Sequence, residues 1–81
     1  MPSLIEVYPN PASENFTVNL ERLAGENFSI EVFDARGKLI DSKTGLGNEI
    51  VVMKTENYAP GIYVIKVNVG EGFYLLKEVI E

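Results

Sequence analysis

The sequence contains neither cysteine nor histidine, and these two absences remove whole classes of chemistry. Without thiols there is no disulfide staple and no thiolate nucleophile; without imidazole there is no ordinary base near neutral pH and no favoured transition-metal ligand. Basic residues are also scarce, seven Lys and Arg against twelve Asp and Glu, for a net charge of −5. Nucleic acids and anionic membrane surfaces need a basic footprint, so neither is expected as a partner. Long apolar runs are missing too. Stretches such as residues 62–65 and 73–76 are four residues long, far below the roughly 20 that carry a helix across a bilayer, so membrane insertion is not expected. Met1-Pro2-Ser3-Leu4 lacks the basic and apolar blocks of a leader peptide. Residues 1–3 are read as an added start and residues 4–81 as a single domain, because 81 residues supply only one hydrophobic core.

What the chain does have is alternation. Apolar residues recur with period two, and Gly, Asn and Pro interrupt them at intervals of roughly ten residues, the rhythm of antiparallel strands. Ile5 and Val7 begin a short strand that stops at Pro9 and Pro11, since proline has no N–H for a central ladder. The two prolines are expected to hold Asn10 extended. Phe16, Val18 and Leu20 define a second strand, and Phe28, Ile30 and Val32 a third. Asp34-Ala35-Arg36-Gly37 predicts a type I turn with Gly37 left-handed, folding the chain back into Lys38 to Lys43. After a turn at Gly45 and Gly47, Ile50 and Val52 continue the inward pattern; Ala59-Pro60-Gly61 then breaks it. The longest strand follows, with Tyr63, Ile65, Val67 and Val69 on one face and Ile62, Val64, Lys66 and Asn68 on the other. Gly70-Glu71-Gly72 turns it into a last strand, Phe73 to Ile80. The stretch Glu21 to Asn27 is read as a loop. About seven short strands without a helical period predict an all-β fold, an immunoglobulin-like antiparallel sandwich.

Motifs with chemical potential are few. Gly45-Leu46-Gly47 opens like a dinucleotide fingerprint, but Ile50 fills the third glycine position and no helix follows. The acids fall at polar strand positions or in turns and are expected to be solvated rather than paired for acid/base work. Asp34 and Asp41 offer hard oxygens for calcium, yet no Asp-x-Asp cluster surrounds them, and no metal or other cofactor is expected. Asn15-Phe16-Thr17 and Asn27-Phe28-Ser29 match the glycosylation pattern, but each central Phe belongs to a core face. Of the four Tyr and four Phe, Tyr58 and Tyr74 are expected to be exposed, too few for a carbohydrate platform. No nucleophile has a recognisable activator, so catalysis is not expected.

Three stretches in order carry a resemblance: Val7-Tyr8-Pro9-Asn10-Pro11-Ala12, Ile30-Glu31-Val32-Phe33-Asp34-Ala35-Arg36-Gly37-Lys38, and Tyr58-Ala59-Pro60-Gly61-Ile62-Tyr63-Val64-Ile65-Lys66-Val67. Together they resemble the type A C-terminal sorting domain of the type IX (Por) secretion system, over residues 4 to 80. The resemblance implies a non-catalytic address at the end of a larger exported cargo, met by the outer-membrane translocon and its shuttle proteins on the way through the periplasm to the cell surface or medium. Pro9, Asn10, Pro11, Gly37, Gly61 and Tyr63 are then residues that maintain the fold. Tyr63 is expected to bury its ring and to keep its hydroxyl at the rim beside a partner. The same resemblance places recognition on the last strands, at Lys66, Tyr74, Lys77, Glu78 and Ile80. Family members commonly end in a basic strand, whereas Lys77 is the one base in Leu75-Leu76-Lys77-Glu78-Val79-Ile80-Glu81. A different reading, from the fold class alone, is a fibronectin-type accessory module that holds glycan or protein beside a catalytic domain.

Overall fold

Seven strands are set out by the computed structural model, which describes residues 5–20, 27–46 and 50–81. Residues 1–3, residues 21–26 of the expected loop and the expected turn at Gly47 lie outside the described residues. In chain order the strands are β1 (Glu6–Tyr8), β2 (Asn15–Asn19), β3 (Asn27–Phe33), β4 (Leu39–Leu46), β5 (Ile50–Lys54), β6 (Gly61–Val69) and β7 (Gly72–Ile80). They form two antiparallel sheets, β1-β2-β5 and β4-β3-β6-β7. β5 pairs with β2 and β6 with β3, so successive strands switch sheets in the Greek-key manner of immunoglobulin-like sandwiches.

Alternation explains the interior. Phe16 and Val18 come from one sheet, with Leu20 just past the end of β2, and Phe28, Ile30, Val32, Ile65 and Val67 come from the other, all buried in a common core. Each such side chain contributes about 1.5–3 kcal/mol by leaving water. Asn15 and Asn27 are exposed and precede the buried Phe16 and Phe28, so the two glycosylation-like triplets coincide with strand starts.

β5 corrects the expected parity. Val51 and Met53 are buried, whereas Val52 is 51% exposed and Ile50 also faces out. Register decides this: Phe16 pairs with Met53 and Val18 with Val51, and cross-strand partners share a face.

The β3–β4 turn forms as the sequence predicts. Asp34 Oδ1 accepts from the Arg36 and Lys38 amides, each at 2.9 Å, and the Gly37 amide donates to Asp34 O at 2.9 Å. Gly37 has φ of 87°, a conformation that a Cβ would strain. The amide of Lys38, first among these contacts, holds the Asp34 carboxyl below its usual range.

Tyr63 marks the β5–β6 corner. Its ring is buried, and its hydroxyl donates to the carbonyl of Ala59 just upstream, the tyrosine-corner arrangement of these sandwiches. Tyr58 lies against it with ring centroids 5.2 Å apart, and against Phe16 at 6.2 Å. Tyr58 is thus half-buried rather than exposed as expected. Its hydroxyl donates to Asp41 Oδ2 at 2.9 Å, and burial, with that bond, raises its pKa.

The expected extended run at Pro9 and Pro11 is instead a bend. Both Tyr8–Pro9 and Asn10–Pro11 peptides are cis, and the chain turns here away from β1 toward the far end of β7.

Candidate recognition surface

β6 and β7 form a hairpin of nine register pairs, from Gly61 opposite Ile80 to Val69 opposite Gly72. Its inner face supplies Tyr63, Ile65, Val67 and Val69 from β6, and Tyr74, Leu76, Glu78 and Ile80 from β7. Its outer face should be polar if solvent were all it met. It is not: Phe73 is 57% exposed, Leu75 61% and Ile62 47%, and Val64 lies among them. Register sets these residues side by side, with Ile62 opposite Val79, Val64 opposite Lys77, Lys66 opposite Leu75 and Asn68 opposite Phe73.

Two lysines frame this apolar surface. Lys66 Nζ lies 4.7 Å from the centre of the Phe73 ring, a cation–π contact that flattens its stem along the sheet. Lys77 is exposed one row away. The outward positions of β6 and β7 carry no carboxylate, although the chain as a whole is acidic. Glu31 on β3 is the nearest acid by register, opposite Lys66, and accepts from Asn68 Nδ2 at 2.8 Å.

β7 is also an edge strand. Its odd-numbered residues aim backbone groups away from β6, as the bonds at Lys77, Val79 and Glu81 show. At Phe73 and Leu75 no described element covers that edge. Farther along, the bent N-terminal segment does. Ala12 N donates to Val79 O and Glu81 N to Ala12 O, both at 2.8 Å, making a short parallel bridge. Asn10 spans the next step, its Nδ2 donating to Lys77 O and its Oδ1 accepting from Val79 N, each at 3.2 Å.

The residues picked out from sequence for recognition therefore divide. Lys66 and Lys77 stand on the outer face. Tyr74 faces the other way, half-buried against the core, which corrects its expected exposure. Ile80 and Glu78 are buried, so in the folded domain neither side chain offers a surface to a partner. Glu78 also departs from the expectation that the acids are solvated. It is 0% exposed, both carboxylate oxygens lack a hydrogen-bond partner, and burial pushes its pKa up to about 7. Ile62, Val64, Phe73 and Leu75 were not singled out from the sequence. The signal was the apolar run Phe73-Tyr74-Leu75-Leu76, which loads both faces of one strand.

The two calcium candidates line one rim depression of about 380 Å³ with Tyr58 and Tyr63. Asp34 Oδ1 is engaged by its own turn, and both carboxylate oxygens of Asp41 are engaged, by the Ser42 amide and the Tyr58 hydroxyl.

A Greek-key sandwich that presents an exposed apolar face beside a partly open strand edge has the form of a recognition module. The family described as "Secretion system C-terminal sorting domain" matches residues 6–81, and the chain belongs to it, a sorting signal of type IX secretion. Membership implies export to the cell surface or the extracellular space. Among curated proteins the chain is similar to an ulvan lyase of Nonlabens ulvanivorans, at 27% identity over 67 residues that cover 83% of this chain and 12% of the lyase. It is also similar to an endo-acting ulvan lyase of Formosa agariphila, at 27% identity over 62 residues covering 76% of this chain and 12% of that enzyme. The chain thus spans about an eighth of the length of these relatives.

Proposed function

We propose that this domain is the export address of a larger cargo joined to its N-terminal side, and that the export machinery reads the outer face and open edge of the β6–β7 hairpin. The observation that carries this reading is the exposed apolar cluster Ile62, Val64, Phe73 and Leu75 framed by Lys66 and Lys77. A solvated sheet face has no use for it, and a docked partner does. Strand addition beyond β7 at Phe73 and Leu75 gives backbone hydrogen bonds, while the outer face supplies side-chain specificity. The partners in this reading are the outer-membrane translocon and its shuttle proteins, met in the periplasm. The domain itself runs no reaction. Similarity to parts of two ulvan lyases supports a polysaccharide-degrading enzyme as the kind of cargo it serves.

The experiment fuses residues 1–81 behind a periplasmic reporter in a host with type IX secretion. The wild-type fusion is expected at the surface or in the medium. Leu75→Glu and the pair Lys66→Glu with Lys77→Glu, each checked for folding by circular dichroism, are expected to stay periplasmic. Export of both variants at wild-type levels would remove the proposed surface, and retention of the intact wild-type fusion would remove the sorting role. The accessory glycan-binding alternative is disfavoured because Tyr58 is turned inward onto Asp41 and Tyr74 packs on the core.

A further inference from the structure

The proposed docking edge is only partly open, and what covers the rest lies beside Glu78, among the described residues the one buried carboxylate without a partner. Between Phe73 and Leu75 no described residue pairs with the edge of β7, while from Lys77 to Glu81 it is held by Asn10 and Ala12 through four hydrogen bonds. Glu78 sits in the middle of this covered stretch, buried, with neither oxygen bonded. A neutral carboxylic acid tolerates that position at modest cost. An ionised one does not, and it must draw in water or move.

We propose that the Asn10–Ala12 segment is a releasable cover on the β7 edge, and that ionisation of Glu78 releases it. This rests on the reading of that edge as the docking site and adds its regulation. The argument is a comparison of attachments. β6 grips β7 through nine register pairs continuous with the sheet, whereas the cover is held by those four bonds and the small side chain of Ala12. When water must reach Glu78, the cover is the weaker attachment and yields first. Its departure frees the backbone of Val79 and the Glu81 amide, lengthening the open edge from Phe73–Leu75 to Phe73–Glu81.

Among the described residues no charge beside Glu78 offsets this device. On β6 the group directly across is Tyr63, whose hydroxyl is committed to Ala59 O. The cover contributes Asn10, Pro11 and Ala12, none of them titratable. On β7 itself Lys77 projects to the opposite face and Glu81 is exposed. Glu6, Glu14, Lys54 and Glu56, the described charges on and beside the first sheet, are all exposed to solvent. Desolvation alone accounts for the raised affinity of Glu78 for its proton.

Three amides report on the cover directly: Ala12, which donates to Val79 O; Val79, which donates to Asn10 Oδ1; and Glu81, which donates to Ala12 O. Hydrogen exchange by NMR, corrected for intrinsic rates, should show their protection falling by about tenfold or more from about pH 6 to about pH 8, while Ile65 on β6 keeps its protection. In Glu78→Gln the fall should vanish. A flat profile in the wild type, an equal fall in the variant, or a matching loss at Ile65 would overturn the proposal. Should Glu78→Gln fail to fold, the wild type decides: carbon-detected titration of the Glu78 carboxyl must share its midpoint with the chemical-shift changes at Ala12 and Val79, and a separate midpoint overturns the coupling. Reporter export is scored independently. A flat exchange profile with intact export defeats the cover and spares the sorting role, whereas normal pH-dependent release without export does the reverse.

Discussion

Glu78 concentrates the energetic consequences of one residue. Folded, its carboxyl keeps a proton to about pH 7, against an ordinary value of 4.5. A raised acid binds its proton more tightly in the folded state, so its stabilising share is complete below pH 4.5, declines as pH climbs toward 7, and is flat above. Over that window the loss amounts to about 3 kcal/mol. Glu78→Gln should abolish this part of the pH slope; urea unfolding of both proteins at about pH 5 and pH 8 measures the difference. Tyr63 makes a second prediction at this scale. Tyr63→Phe keeps the buried ring and loses the bond to Ala59 O, which should cost about 1 kcal/mol in the same assay. Gly37→Ala should cost about 1–2 kcal/mol without touching the core, because φ of 87° strains any L side chain.

At the level of the strand, legibility followed contrast between neighbours. β2, β3 and the second half of β6 alternate between apolar and polar residues, so their inward sets could be read without coordinates, with Lys66 and Asn68 fixing the phase of β6 through its apolar start. Ile50-Val51-Val52-Met53 has no such contrast, and parity came only from pairing with β2, a long-range fact that local pattern does not hold. Met53→Ala should therefore cost about 2–4 kcal/mol and Val52→Ala under about 0.5 kcal/mol, as chemical denaturation would show. The opposite ranking would return β5 to the parity expected from sequence. The candidate site was legible in position but not in orientation. The last hairpin was identified, yet Glu78 looked like a solvated acid because its type says surface, and only the strand's phase against Ile80 and Leu76 turns it inward. Asn10 was read as part of a fold motif, whereas its grip on β7 joins residues 67 and 69 positions apart, a separation that spacing rules do not reach.

For the molecule as a whole, stability rests on pairings distant in sequence. The β2–β5 and β3–β6 ladders close long loops before their contacts form, and the cover on β7 joins the two ends of the described chain. Chains built this way fold slowly for their size, so stopped-flow refolding should give relaxation times of about milliseconds to seconds rather than microseconds. The architecture also explains how a small acidic domain keeps a sticky surface. The dry interior occupies one face of each sheet, and the apolar residues left over on β6 and β7 are gathered in one place rather than scattered. An unpaired strand rich in aromatic and aliphatic side chains is ordinarily a template for aggregation. Lys66 and Lys77 keep two positive charges on the same outer face as those apolar side chains, so the bases that frame the docking face also act as gatekeepers against fibrous stacking.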